Sequence, residues 1–240
     1  MSIADNLHRV QERIARAAES AGRRADEITL VGVTKYVGPK EAAELIAAGC
    51  HHLGESRPQE LWQKAATFDG LVASATRPPA RPQIHWHLIG HLQRNKVART
   101  LPLVTCIHSV DSERLLAAIN EAHATSTNNS TPINVLLEVN TSGESAKNGL
   151  APNDVEPFLA AAPNFPRIAI RGLMTMAALE GGPAVAAHNF ATLRELRNRL
   201  KTNAPGCVQL TELSMGMSDD FAVAIREGAT IVRVGSALWE

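Results

Sequence analysis

An excess of either charge is missing from this chain. Its 24 Lys+Arg balance 24 Asp+Glu over 240 residues, and no basic run stands out. That disfavours a nucleic acid or an anionic membrane surface as partner. Cysteine is scarce: Cys50, Cys106 and Cys207 are scattered, with no CxxC pair. A disulfide framework is therefore not expected, and reduced thiols fit a cytoplasmic protein. Long apolar runs are also lacking, since none approaches the roughly 20 residues of a membrane-spanning helix. The N-terminus reads as an amphipathic helix and not as a signal peptide.

What is present is alternation. Ile3, Leu7, Val10, Ile14 and Ala18 form one helical stripe that stops at Gly22. Strand-like runs follow at 28–35, 52–53, 84–89, 104–109, 133–139, 168–174, 207–213 and 230–234. Helical segments separate them: Pro39 to Gly49, a helix through Lys64, one near Arg94–Arg99, one with Leu115, Leu116 and Ile119 capped by Asp111, one around 153–161, a long one with Phe190, Leu193, Leu196 and Leu200, and a short one starting at Ser218. Eight strands alternating with helices point to one (β/α)8 barrel of the TIM type over 1–240, with an extra N-terminal helix. An open doubly wound sheet is the alternative. The segments 70–83 and 124–131 break the rhythm and read as surface loops.

In such barrels the site lies at the C-terminal strand ends. Lys35 ends the first strand, on the face of Val31 and Val33. Taken alone, a strand-end lysine is more often simply solvated than catalytic. Two glycine-containing loops change that balance. Ser214-Met-Gly-Met-Ser218 follows the seventh strand, and Arg233-Val-Gly-Ser236 follows the eighth. These are the positions where barrels bind phosphate, through backbone N–H groups and hydroxyls. Arg233 needs a partner if buried, either a carboxylate such as Glu212 or a ligand. His85, His87 and His91 have the look of a metal cluster, but His91 lies past the turn, so no metal is expected.

Several motifs in this order resemble one family. VGVTK (31–35), GESRPQE (54–60), WHLIGHLQRNK (86–96), HSVDS (108–112), EVNTSGESAKNGL (138–150), RGLMTM (171–176), LSMGMSDD (213–220) and VRVGSALW (232–239) are similar to those of the YggS/PROSC-like pyridoxal phosphate (PLP) homeostasis proteins. The barrel of that family is like the one in bacterial alanine racemase. The resemblance implies PLP as cofactor, held as an internal aldimine on Lys35. It implies Ser214, Gly235 and Ser236 around the phosphate, Met217 beside the cofactor, and Arg233 facing the pyridine nitrogen. Ser56, His87, Asn140 and Lys147 fall in matching motifs near the cofactor. Ser56 and Arg57 depart from the family's usual Asn and aromatic residue, and Trp239-Glu240 stand where Phe-Gly is usual.

A guanidinium cannot accept a proton from a pyridinium, so PLP opposite Arg233 is a weak electron sink. Racemases of this fold also use a tyrosine from a second domain, whereas the single tyrosine here is Tyr36. The expected function is therefore a cytoplasmic, monomeric PLP carrier in vitamin B6 homeostasis, without turnover of its own, with PLP-dependent apo-enzymes as recipients. The alternatives are a PLP-dependent amino-acid racemase and a cofactor-free aldolase-type barrel.

Overall fold

The strands pair in sequence order, all parallel, and the last closes on the first. The computed structural model describes residues 2–74, 83–125, 131–144 and 147–240. Its strands are β1 (Thr29–Val33), β2 (His52–Glu55), β3 (His85–Leu88), β4 (Cys106–Val110), β5 (Ile133–Glu138), β6 (Ile168–Met174), β7 (Glu212–Ser214) and β8 (Ile231–Val234). The helices are α1 (Ile3–Ser20), α2 (Pro39–Ala47), α3 (Pro58–Ser74), α4 (Val97–Thr100), α5 (Glu113–Ala124), α6 (Val155–Ala160), α7 (Gly182–Lys201), α8 (Phe221–Arg226) and α9 (Ser236–Trp239). The fold is the expected (β/α)8 barrel. Among the described residues no helix is long and apolar enough to cross a membrane.

The extra helix α1 forms as its stripe requires. Ser2 caps it by accepting from the Asp5 N–H, and the Asp5 carboxylate accepts from the Ser2 N–H in return. Leu7, Val10 and Ile14 are buried. The Asn6 side chain donates to the Leu238 carbonyl at 3.1 Å, which ties α1 to the end of the chain.

Two packed regions result. The larger lies between strands and helices and includes Leu53, Leu88, Ile107, Leu116, Phe190 and Val232. The smaller fills the barrel axis with Val31, Cys106, Leu136, Met174 and Ile231. Burying one side chain such as Phe190 contributes about 2–3 kcal/mol. Gly172 allows β6 and β7 to close together, because a Cβ there would lie 1.9 Å from the Glu212 carbonyl oxygen.

Several boundaries differ from the sequence reading. β1 ends at Val33, because the Val37 N–H turns back to the Thr34 carbonyl. β7 keeps only three residues, since the Val208 N–H bonds back to the Pro205 carbonyl in a turn. α3 continues past Lys64 to Ser74, as alanine and leucine favour. α5 is preceded by Ser112 rather than capped by Asp111. α8 starts at Phe221, and Ser218 serves a different partner. Of the two loop segments, 75–82 and 126–130 lie outside the described residues.

Candidate functional site

Side-chain alternation decides what the barrel axis contains. His85 and His87 on β3 share one face while Trp86 and Leu88 pack outward. Ile231 on β8 faces inward, and Arg233 follows it on the same face near the C-terminal mouth. Leu136 on β5 does the same for Glu138. The apolar band is thus topped by polar groups.

Arg233 is buried at that mouth. Its Nη1 donates to Ser214 Oγ at 2.6 Å, and its Nη2 donates to the Thr175 carbonyl at 3.0 Å. Glu212, the carboxylate suggested by the sequence, instead accepts from the Thr230 hydroxyl. Burial brings the guanidinium down to about 10, with Asp220 and Glu138 opposing the fall. It stays protonated at neutral pH and can only donate. Burial also pushes the Glu138 carboxyl up to about 7, with the Asp111 charge adding to the rise and Arg233 opposing it.

Lys35 lies in the turn just beyond β1, exposed, with Nζ 4.8 Å from the centre of the Tyr36 ring. The peptide before it is fixed: the Thr34 carbonyl accepts from Lys64 Nζ at 2.7 Å. β1 pairs with β8, Val31 beside Arg233, so the lysine and the arginine belong to adjacent strand ends.

The two loops over β7 and β8 interlock. Gly216 adopts φ +95°, and Ser218 Oγ accepts from the N–H groups of Gly235 at 3.2 Å and Ala237 at 3.4 Å. Among the described residues, the N–H groups of Ser218, Asp219 and Ser236 have no acceptor. Met217 and Ser236 are exposed beside them. Unpaired amides, two hydroxyls and a buried guanidinium make a donor-rich surface, which is the chemistry that a phosphate ester requires.

Four other residues singled out by the sequence make contacts of their own. Ser56 borders a cavity of about 440 Å³ with Arg57, His91 and Lys96. Asn140 uses its side chain to order its own loop, donating to the Glu144 carbonyl and accepting from the Gly143 N–H. Lys147 donates to the Ala177 carbonyl at 2.6 Å and pairs with Glu144 at 2.9 Å. His87 lies inside the barrel, one residue removed from Ser214: its Nδ1 meets His108 Nε2, and His108 Nδ1 meets Ser214 Oγ.

His91 lies past the turn, apart from His85 and His87 on β3, as expected. His91 is near Asp111, and His85 stacks on His52. A different trio, His87, Cys106 and His108, offers ligating atoms within 4.8 Å of one another. The two histidines already bond each other, and burial pushes the Cys106 thiol up to about 12, which opposes thiolate ligation. The sequence reading missed Glu138, His108 and Thr175 at the mouth. The inward register of β4 and β5, read two residues on from Cys106 and Leu136, is the signal for the first two.

Comparison with known proteins identifies the family and the fold. The family model for the alanine racemase N-terminal domain matches residues 6–240. A pyridoxal phosphate homeostasis protein of Aquifex aeolicus is 37% identical, covering 100% of this chain and 98% of its own. The protein of that name in Escherichia coli is 33% identical, covering 99% and 95%. Among solved structures, PipY of Synechococcus elongatus is 31% identical and covers 100% of both chains. It superposes with a TM-score of 0.85 without PLP and 0.82 with PLP bound. Alanine racemase of Clostridium difficile is 15% identical, with a TM-score of 0.72 over 98% of this chain and 59% of its own, a likeness of fold. The chain belongs to the pyridoxal phosphate homeostasis protein family, built on the alanine racemase N-terminal-domain barrel.

Proposed function

We infer that this chain binds PLP at the C-terminal mouth of its barrel, linked to Lys35, and serves intracellular vitamin B6 homeostasis without turnover of its own. The observation that carries this is an exposed primary amine at a mouth that also holds a buried guanidinium and a serine hydroxyl. Lys35 stands at the end of β1, and Arg233 and Ser214 lie at the adjoining ends of β8 and β7. PLP, when bound, supplies an aldehyde that condenses with a primary amine and releases water.

The chain's own groups divide the remaining work. The amides of Ser218, Asp219 and Ser236, with the Ser236 hydroxyl, are the donors for the phosphate. Arg233 offers N–H groups and takes no proton, because its guanidinium keeps its charge at neutral pH even when buried. A ring nitrogen over it is held as an acceptor, which disfavours carbanion chemistry and supports the carrier reading over a racemase. Tyr36, the chain's one tyrosine, is exposed beside Lys35 and 82% accessible, so no buried phenol stands ready as a second acid–base group.

In this reading the protein works as a cytoplasmic monomer, and PLP-dependent apo-enzymes are its recipients. Purified protein mixed with PLP tests both steps. Binding should produce a yellow absorption band, and bound PLP should then activate an added apo-enzyme faster than the protein's spontaneous release supplies it. Sustained exchange of an amino acid's α-hydrogen with deuterated solvent at useful turnover would overturn the carrier reading in favour of a racemase.

A further inference from the structure

A line of side chains runs through the barrel from one face to the other. His52 Nδ1 is 3.0 Å from His87 Nε2, His87 Nδ1 is 2.9 Å from His108 Nε2, and His108 Nδ1 is 2.9 Å from Ser214 Oγ. Arg233 Nη1 ends the line on the same hydroxyl. His52 is the first residue of β2, at the N-terminal face, and Ser214 is the last of β7, at the C-terminal mouth. His52 also borders a cavity of about 340 Å³ with Gln11, His51, Gln83 and His85.

The line has a direction, set by Arg233. A neutral imidazole has one N–H and one bare nitrogen. Burial keeps these rings neutral: His87 falls to about 3, His108 falls well below the usual histidine range, and His52 is lowered as well. The groups facing them reinforce this, since His85 and His51 lie by His52 and Arg233 by His108. The guanidinium can only donate, so Ser214 Oγ accepts from it. That hydroxyl is fully buried, and its one remaining partner among the described residues is His108 Nδ1, so the Ser214 proton is satisfied only if Nδ1 accepts it. His108 therefore holds its proton on Nε2 and gives it to His87 Nδ1. His87 holds its own on Nε2 and gives it to His52 Nδ1. His52 is left with its proton on Nε2, at the N-terminal face.

An acceptor seated on Ser214 reverses the line. A phosphate oxygen or an unprotonated ring nitrogen takes the hydroxyl's hydrogen bond. The oxygen then turns a lone pair toward His108, which must present Nδ1–H to it. The change passes on to His87 and His52. Protons balance if one enters Ser214 from water at the mouth, one moves across each of the three contacts, and the one on His52 Nε2 leaves to water.

We propose that His52, His87 and His108 form a tautomeric relay that couples occupation of the mouth to the hydrogen-bonding state of His52 on the opposite face. The proposal rests on the PLP reading of the mouth. Coupling is reciprocal. A hydrogen-bond donor, such as an amide or ammonium group seated in the cavity beside His52, favours the occupied form. An acceptor there favours the empty one.

The test is nitrogen NMR of full-length protein labelled with 15N-histidine, with PLP occupancy followed by absorbance in the same samples. The free protein should show Nε2–H at His52, His87 and His108, and saturation with PLP should convert all three to Nδ1–H in step with occupancy. In the Ser214→Ala variant, at PLP concentrations that still saturate it, His52 and His87 should keep their free-protein tautomers. Nδ1–H at any of the three in the free protein overturns the relay, whether or not PLP binds. So does full occupancy with any of the three unchanged. Absence of the absorption band at any PLP concentration counts against the function proposed above, and the free-protein spectrum then decides the direction of the line by itself.

Discussion

Lys64 Nζ lies 2.6 Å from Glu55 Oε2 and 2.7 Å from the carbonyl oxygen of Thr34, the residue that precedes Lys35. Both charged side chains are buried, and Thr34 Oγ1 also donates to Glu55 at 3.1 Å. The other carboxylate oxygen accepts from the Ser56 N–H at 2.8 Å. One buried ion pair thus joins the end of β1 to the loop after β2 and fixes the backbone on which the candidate lysine stands.

Lys64→Met leaves Glu55 buried without its cation. Removing one partner of such a pair costs about 3–5 kcal/mol. Urea denaturation should show a loss of that size. The double variant Glu55→Leu/Lys64→Met should lose less than Lys64→Met alone, because no charge is then stranded. A single variant as stable as the parent would show that the pair does not hold the turn.

Gly216 should tolerate no side chain. Its φ is +95°, and a Cβ would lie 2.6 Å from Ala224 Cβ and 2.8 Å from Phe221 Cα. Gly216→Ala should destabilise the protein by about 1–3 kcal/mol and weaken PLP binding, since the same turn carries the unpaired amides. Thermal unfolding and a PLP titration check the two effects separately.

Glu138 gives stability a pH dependence of definite sign. Its folded pKa of about 7 lies above the ordinary value of 4.5, so the folded state binds its proton more tightly than the unfolded one. The contribution is fully present below about pH 4.5 and is lost as pH rises through 7. The full difference is on the order of 3 kcal/mol. Glu138→Gln should flatten the stability profile between those limits. Parallel profiles for variant and parent would contradict the assignment.

Arg233→Met removes the donor to Ser214 and to the Thr175 carbonyl. It should weaken PLP binding at least tenfold, the scale of one lost charge-assisted hydrogen bond. Equilibrium titration by absorbance measures this. Unchanged affinity would move the ligand away from the β7 and β8 ends.

Much of this was legible in the sequence because barrel geometry turns strand ends into neighbours. Alternation along ITLVGVTK and TIVRV put Lys35 and Arg233 at the ends of the first and last strands, which the barrel pairs. The glycines of SMGMS and RVGS marked the loops that interlock through Ser218. Other features depend on contacts that sequence spacing does not encode. Lys64 reads as one more helix-surface lysine until α3 packs it against Glu55, nine residues earlier in the chain. The line from His52 to Ser214 joins β2, β3, β4 and β7, and no local pattern records it. Lys147 matches a motif, yet its amine is held by Ala177 and Glu144.

The central claim is that Lys35 is the amine that carries PLP. The most direct measurement is borohydride reduction of the PLP-loaded protein followed by peptide mapping. The account predicts loss of the yellow band on reduction and one pyridoxyl label, on Lys35, with Lys35→Ala giving no band while retaining weaker, non-covalent PLP binding. A label on another lysine, or a full-strength band in Lys35→Ala, would contradict it.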